Sequence, residues 1–307
     1  MRKQLCDALV ARSVNLDMVF LTGDLGFMAL EPLRLAMGER FINAGVAEQN
    51  MVSVAAAMAN EKFDTWVYSI APFVYARPFE QIRNDVAFHN LPVKLIGNGG
   101  GYGYGVMGPT HHAIDDYGSL LTLPNMSVFI PVFDEDVETV IERAGACQGP
   151  VYLRMGRGEA PKGWQVPTYA PWRKLTCGQG PVVISVGPLA GTYIEGFGRM
   201  PDAGRPNLWA VSELPLTIES LPAGLLDDIA RGTGLIVAEE HVQRGSVGTE
   251  LALMFIKSGV QIKGFQHMYA KAHHYERYGS QSYMRKMSQL DPESMQKAVN
   301  IFSTCDR

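Results

Sequence analysis

Short apolar runs alternate with amphipathic segments along the first half of the chain. The runs lie at residues 18–22, 41–43, 65–68, 93–97, 127–132 and 151–154. Apolar residues at helical spacing fall at residues 2–13, after Glu48, from Phe79 to Val86, and at 134–146. Wholly apolar strands that alternate with helices are typical of a mainly parallel sheet covered on both faces. The first half is therefore predicted to be an α/β domain.

The second half repeats this alternation. Apolar runs at 182–186, 208–211, 235–238 and 260–264 are separated by helical stretches near 189–199, 222–231 and 246–258. The connecting stretch is rich in Pro and Trp and has no periodicity. We therefore expect an α/β protein with two domains, residues 1–165 and 176–307, each a mainly parallel sheet flanked by helices, joined by a linker at 166–175.

Glu48 opens a helix whose following turns are almost all small or apolar, from Met51 to Ala59. A helix that is apolar on nearly every side is a buried helix. Glu48 is thus expected at or near the interior, where a carboxylate is costly to ionise. The plainer alternative is a carboxylate that interacts with the dipole at the helix start.

Polar and glycine-rich loops follow several of the predicted strands. Asp24 and Leu25 follow the first strand, and a glycine- and tyrosine-containing loop runs from Gly97 to Gly105. Residues 108–116 then place His111 and His112 beside two carboxylates. Ligands gather at the carboxyl ends of parallel strands, so these loops are candidate site elements. Glu239-Glu240-His241 also ends a predicted strand, but we interpret it as a solvated acidic turn.

Composition narrows the function classes. Of 307 residues, 47% are hydrophobic and 19% charged, and the net charge is -4, which argues against a nucleic-acid surface. Four cysteines (Cys6, Cys147, Cys177 and Cys305) lie far apart without a CxxC pair, which suits a reducing cytoplasm rather than a disulfide framework. No run approaches the roughly 20 apolar residues of a spanning helix. A soluble cytoplasmic enzyme is expected.

Three familiar site types fit the loops poorly. Adjacent histidines point in different directions, so His111, His112, Asp115 and Asp116 do not favour a metal site. No GxSxG elbow of a serine hydrolase is present. The glycines at 99–105 include GxGxxG-like spacings without the following acidic strand end of a dinucleotide site.

Several blocks resemble a known family. Gly45-Val46-Ala47-Glu48-Gln49-Asn50, the segment 68–73, the loop 97–105 and Gly108-Pro109-Thr110-His111-His112 together resemble the pyrimidine-binding domain of the transketolase family. Deoxyxylulose-phosphate synthase has closely similar blocks. The second half resembles the family's C-terminal domain, with 237–241 and 245–248 as weaker markers.

The resemblance implies a thiamine diphosphate enzyme that transfers a two-carbon ketol unit from a ketose to an aldehyde. By this resemblance Glu48 activates the aminopyrimidine of the cofactor. Phe73 stacks on that ring, with a one-residue slip toward Val74 or Tyr75 left open, and Asp24 and Leu25 belong to the cofactor site. The resemblance also assigns a proton-transfer or substrate role to His111. The remaining substrate candidates are His112, Arg154 and Arg157.

The family's diphosphate-binding domain, with its Gly-Asp-Gly and Asn motif, is missing from the sequence. The chain therefore resembles the C-terminal half of a split transketolase. A separate partner chain is expected to hold the diphosphate and Mg²⁺ or Ca²⁺, in a dimer of heterodimers. No metal-binding residues are assigned to this chain.

Two departures affect the expected substrate. Met107 stands where the family has an Asp before Gly-Pro-Thr-His, and the region of Gly99 replaces a further histidine. A specialised ketose substrate is thus expected, rather than a common pentulose phosphate. The alternatives are the β chain of a 2-oxoacid decarboxylase or dehydrogenase, an acyloin-type carboligase, and a non-catalytic assembly subunit.

Overall fold

The computed structural model describes residues 1–14 and 17–303. Cys305 and the other residues after 303 in the predicted second domain lie outside this part. The strands are β1 (Met18–Thr22), β2 (Phe41–Asn43), β3 (Asp64–Ile70), β4 (Lys94–Asn98), β5 (Ser127–Phe129), β6 (Val151–Met155), β7 (Trp172–Thr176), β8 (Val182–Val186), β9 (Asn207–Val211), β10 (Glu213–Leu214), β11 (Leu235–Glu239) and β12 (Phe265–Tyr269).

The helices that cover the strands are α1 (Arg2–Ser13), α2 (Glu31–Met37), α3 (Glu48–Asn60), α4 (Ala71–Tyr75), α5 (Phe79–Gln81), α6 (Asp116–Leu120), α7 (Val137–Ala146), α8 (Gly191–Gly198), α9 (Ala223–Arg231), α10 (Val247–Ser258), α11 (Gln281–Met287) and α12 (Pro292–Ser303). A π-helical turn, Ile82–Ala87, continues α5. In the described ranges, no helix is both long and apolar enough to cross a membrane.

Two mainly parallel sheets form the centre of the fold, as predicted. The first has the order β10-β5-β6-β4-β3-β1-β2 and the second the order β12-β11-β8-β9-β7. Antiparallel pairing occurs where β10 meets β5 and where β7 meets β9. Strands such as β1, β4 and β6 are buried at every residue, because helices cover both faces.

The segment between the halves is more structured than its composition suggested. Strand β7 begins inside the predicted linker 166–175 and joins the second sheet. Strand β10 comes from the second half of the sequence but pairs with β5 of the first sheet. The two halves of the sequence therefore share structure at this edge.

The strand predicted at 260–264 is wrong, because the last strand is β12, five residues later. Val260 and Ile262 pack against the core without forming a strand, which explains their apolar pattern. Only Met268 of β12 is buried, and its neighbours include Gln266 and His267, so the edge strand carries little hydrophobic signal.

Glu239-Glu240-His241 does not form a solvated turn, and that interpretation is wrong. Glu239, Glu240 and His241 are almost completely buried. Glu239 accepts hydrogen bonds from the backbone N–H groups of Val247 and Gly248, at 3.0 and 2.7 Å. These donors lie in the first turn of α10, where unpaired N–H groups attract a carboxylate.

The buried carboxylates belong to a polar cluster between the two sheets, which we call the interdomain cluster. Tyr117 donates to Glu239, and Arg285 forms an ion pair with Glu240. The Nη2 atom of Arg154 donates to the backbone oxygen of Glu240 at 2.8 Å. The interdomain cluster consists of Asp116, Tyr117, Arg154, Glu239, Glu240 and Arg285. It connects the first sheet to the second with charged groups that are out of solvent.

Candidate active site

Glu48 lies at the carboxyl edge of the first sheet, where the chain leaves β2 and enters α3. It is the first residue of α3 and is only 4% exposed. The loop after β1 passes beside it, so a Cβ atom on Gly23 would lie 3.7 Å from Glu48 Oε1. The rest of α3 is anchored by buried residues on the core side, among them Met51 and Val52. The sequence pattern of α3 thus places one carboxylate in a fixed, buried position.

Arg77 contacts this carboxylate from the solvent side. Its Nη1 atom donates to Glu48 Oε1 at 2.7 Å, and its side chain is 43% exposed. The same guanidinium lies over the ring of Phe73, with 3.8 Å from Cζ to the ring centroid. Arg77 was not among the predicted site residues. Its four-residue spacing from Phe73 and its position close to a candidate aromatic residue are the signals that could have identified it.

The position of Phe73 separates the three aromatic and aliphatic candidates on α4. Val74 and Tyr75 are buried, and the hydroxyl group of Tyr75 donates to Asp115. Phe73 is half-buried and packs edge-on against His111, with ring centroids 5.1 Å apart and an interplanar angle of 65°. Phe73 is therefore the member of this trio that lies beside the Glu48–Arg77 pair.

His111 ends the short turn after the glycine-rich loop. Its Nδ1 atom lies 3.0 Å from Thr110 Oγ1, and its ring centroid is 6.3 Å from that of Tyr104. Burial and the nearby positive charge of Arg77 lower the pKa of His111 from its ordinary value of 6.5. The imidazole is therefore mostly neutral at pH 7, as needed for a group that accepts a proton.

His112 faces away from His111. It is buried, its Nε2 atom is 3.2 Å from the backbone oxygen of Gly105, and its ring packs edge-on against Tyr102 at 5.3 Å. Burial lowers the pKa of His112. These contacts hold the glycine-rich loop together, whereas the substrate role predicted for His112 stays a prediction.

The two arginine candidates lie in different surroundings. Arg154 is buried, with Nε 2.7 Å from Asp116 Oδ2 and Nη2 2.7 Å from the backbone oxygen of Ala113. Although burial opposes its charge, the Asp116 carboxylate holds the pKa of Arg154 above its ordinary value. Arg157 is exposed and lines a cavity of about 270 Å³ together with Gly99 and Tyr104. Arg157 is thus the arginine that an anionic molecule could reach.

Asp24 and Leu25 line a second cavity, of about 350 Å³, beside β2. The backbone N–H of Asp24 donates to Asn43 Oδ1 at 3.0 Å, and Asn43 Nδ2 donates back to Asp24 Oδ1 at 2.8 Å. Asp24 has φ of 57°, a left-handed conformation that Asp tolerates. The reciprocal bonds fix the loop next to Glu48, so both residues lie at the same sheet edge as the other candidates.

The described residues contain no group of three or more His, Cys, Asp or Glu that could hold a metal ion. The groups that converge are instead one buried carboxylate, one half-buried aromatic ring, one histidine and one partly exposed arginine side chain. A carboxylate beside an aromatic face suits a flat nitrogen heterocycle, since one group can hydrogen-bond its edge and the other can stack on its face.

Comparison with known proteins agrees with this geometry. Residues 11–162 match the family described as "Transketolase, pyrimidine binding domain". Two proteins named as one of the subunits of an apulose-4-phosphate transketolase are similar: that of Phocaeicola vulgatus is 32% identical over 52% of each chain, and that of Actinobacillus succinogenes is 27% identical over 84% of this chain and 83% of its own. The chain thus aligns with only about half the length of the first of these relatives.

A transketolase family protein of Sinorhizobium fredii, called putative and uncharacterized, is 30% identical over 81% of this chain and 73% of its own. Among solved structures, the chain is similar to one called "Split gene transketolase, inactive beta4 tetramer", with a TM-score of 0.82, 24% identity, and coverage of 100% of this chain and 98% of that one. The fold is shared over both sheets. The chain belongs to the transketolase family.

Proposed function

We propose that this chain is one subunit of a split, thiamine diphosphate-dependent transketolase, and that a separate chain supplies the diphosphate-binding domain. Two observations support the split arrangement: relatives that are named as single subunits of a transketolase, and a split-gene transketolase chain that this chain matches almost end to end. The observation that carries the proposal is local. Glu48, only 4% exposed, lies next to Phe73 at the edge of the sheet, and a single guanidinium contacts both.

The chain's own residues fit the pyrimidine half of the cofactor. A carboxyl group is the right partner for a ring nitrogen, and the Phe73 ring offers a face for stacking. Asp24 and Leu25 would line the same site from the loop after β1. When bound, thiamine diphosphate supplies a carbon nucleophile that carries a two-carbon unit between substrates. Glu48 would share a proton with the pyrimidine edge through a carboxylate oxygen.

His111 would act on the substrate rather than on the cofactor. Its lowered pKa leaves the ring neutral at pH 7, and its position against Phe73 puts it at the rim of the site. A neutral imidazole there can accept a proton from a substrate hydroxyl group and return it. His112 would position the loop from behind.

We propose a phosphorylated ketose as donor, with Arg157 as the candidate phosphate contact. Arg157 is exposed and lines a cavity shared with the glycine-rich loop, whereas the guanidinium of Arg154 donates to protein groups. Met107, 55% exposed, offers no hydrogen bond where a carboxylate is usual in the family. Apulose 4-phosphate is the first donor to test, because the names of two similar proteins include it.

The partner chain would hold most of the contacts to the diphosphate and to its Mg²⁺ or Ca²⁺. The active assembly would be a dimer of heterodimers, with the cofactor at the boundary between unlike chains. Neither the partner nor the metal is assigned any residue of this chain.

The test is to mix this chain with a co-encoded candidate partner, thiamine diphosphate and magnesium, and to assay ketose phosphates and pyruvate in parallel. Transfer of a two-carbon unit to an aldehyde supports the proposal. Decarboxylation of pyruvate with no cleavage of ketose phosphates would instead indicate a 2-oxoacid decarboxylase or an acyloin-type carboligase. A complex that binds cofactor and has none of these activities would favour an assembly role.

A further inference from the structure

We propose that Arg77 competes with the aminopyrimidine ring for Glu48 and Phe73, and so sets how tightly the chain takes up the cofactor. This inference rests on the proposed function, because it concerns the same site. It assigns Arg77 a part opposite to that of a cofactor ligand: the guanidinium must leave its contacts before the ring can use them.

The competition follows from two contacts made by one group. The guanidinium donates to Glu48 Oε1 at 2.7 Å, and its Cζ atom is 3.8 Å from the centroid of the Phe73 ring. A carboxylate partner for the edge and an aromatic ring for the face are the two features that a protonated or amino-substituted pyrimidine requires. The guanidinium is itself planar, donates N–H bonds and stacks on aromatic faces, so it satisfies both features in the same way.

The side chain of Arg77 is free to leave. It is 43% exposed, and its backbone lies in the short turn between α4 and α5 rather than within a long helix. An exposed arginine loses its ion pair at little cost, because water solvates the charge and the side chain regains rotamer freedom. A buried arginine such as Arg154 has no such alternative.

The neighbouring charges agree with an exchange at this position. The positive charge of Arg77 is one of the two causes that lower the pKa of His111, so the guanidinium also faces the histidine at the rim. Movement of Arg77 away from Glu48 would therefore change the charge around His111 as well. Cofactor uptake and the proton affinity of His111 are thereby linked through one side chain.

The experiment is a titration of the complex of this chain and its partner with thiamine diphosphate, at fixed magnesium, followed by near-ultraviolet circular dichroism. Arg77→Ala is expected to lower the dissociation constant about three- to tenfold, the size of one partly exposed ion pair and one cation–π contact. Arg77→Lys, which keeps the charge and loses the planar stack, is expected to fall between Arg77→Ala and the native chain.

Two controls make the result specific. Arg83→Ala removes an equal charge from the neighbouring exposed segment, where the guanidinium hydrogen-bonds only its neighbour Asn84 among the described contacts, and should leave the dissociation constant unchanged. Millimolar guanidinium chloride, added to the Arg77→Ala complex, should weaken cofactor binding toward the native value, because the free ion can reoccupy the contacts. It should change the native complex much less.

Equal or weaker cofactor binding by Arg77→Ala, with an unchanged melting temperature, would overturn the competition and leave the proposed function standing. If Arg77→Ala proves unstable, Arg77→Lys and the guanidinium titration decide the question in the same way. Failure of the native complex to bind thiamine diphosphate at all, with a folded partner present, would overturn both this inference and the proposed function.

Discussion

Two acid–arginine pairs in this chain have the same bond length and different surroundings. Arg77 contacts Glu48 at 2.7 Å, and Arg154 contacts Asp116 at 2.7 Å. The side chain of Arg77 is 43% exposed, whereas that of Arg154 is 5% exposed. The distance between the charges is thus uninformative about their function. Access to water decides which pair can be exchanged for a ligand and which must stay intact.

The interdomain cluster shows what a fixed pair requires. Besides Asp116, the Arg154 guanidinium donates to two backbone oxygens, those of Ala113 and Glu240, which come from different halves of the chain. Burial costs each ion several kcal/mol, and only such additional bonds offset that cost. Glu48 has a buried carboxylate but an exposed partner, so its partner can be replaced by another hydrogen-bond donor.

The largest expected effect in this comparison is on activity at Glu48. Glu48→Gln should lower two-carbon transfer by the complex about 10²- to 10⁴-fold, because an amide cannot share a proton with the pyrimidine edge. The free energy of unfolding should change by less than about 1 kcal/mol, since the amide keeps the shape of the side chain and an exposed ion pair contributes little. Steady-state rates and urea unfolding measure the two quantities.

Glu61→Gln is the matched control, because Glu61 is an exposed carboxylate just beyond the other end of α3. It should keep full activity. Equal activity of the Glu48→Gln and native complexes would remove Glu48 from the catalytic role.

The next effect is on stability, at the buried pair. Arg154→Met should lower the free energy of unfolding by about 3 to 5 kcal/mol, because it leaves Asp116 charged and unpaired in the interior. Arg77→Ala should cost less than about 1 kcal/mol in the same urea experiment. The double variant Asp116→Asn/Arg154→Met should recover part of the loss. Similar costs for the two arginine substitutions would contradict the distinction between the pairs.

A smaller effect is expected from the aromatic ring beside Glu48. Phe73→Ala should weaken thiamine diphosphate binding by the complex about three- to tenfold, because stacking on an aromatic face contributes about 0.5 to 1.5 kcal/mol. Isothermal titration calorimetry measures the change. Phe88→Ala removes an equally large but exposed ring outside the site and should have no effect. A loss for Phe88→Ala equal to that for Phe73→Ala would exclude specific stacking.

The smallest effect is a shift in proton affinity. In the native chain His111 should titrate below its ordinary pKa of 6.5, and Arg77→Ala should raise that pKa because one of its two causes, the nearby positive charge, is removed. Since folding lowers the pKa, the unfolded chain binds this proton more readily. His111 therefore costs stability as the pH falls from the ordinary pKa through the folded one, and Arg77→Ala should reduce this loss.

Nuclear magnetic resonance of the His111 ring protons provides the titration curve. His89, an exposed histidine outside the site, serves as the internal reference whose curve should be the same in both proteins. An unchanged His111 midpoint in Arg77→Ala would mean that Arg77 and His111 are electrostatically independent.

Hydrophobic patterning predicted the architecture well, because buried parallel strands and amphipathic helices leave a direct signal. The strands at 18–22, 41–43 and 182–186 match β1, β2 and β8 residue for residue, and α3 begins at Glu48 as expected. The pattern failed at β12, where Gln266 and His267 interrupt the apolar run. Helices α11 and α12 were also not predicted, although Met284, Met295 and Val299 on them are buried.

The candidate site was predicted in its members more than in its arrangement. Glu48, Phe73 and His111 were identified, but the contact of Arg77 with two of them depends on how α4 turns into α5, which periodicity does not specify. Likewise, Glu239 and Glu240 look like solvated charges in the sequence. They are buried because α10 and Arg285, distant along the chain, supply the compensating donors.

The most direct test of the central claim is near-ultraviolet circular dichroism of this chain with thiamine diphosphate and magnesium, alone and mixed with a co-encoded candidate partner. The account predicts a cofactor band that forms only in the mixture and disappears with Glu48→Gln. No band in the mixture, with a folded partner verified, would contradict the assignment of this chain as a subunit of a split thiamine diphosphate enzyme.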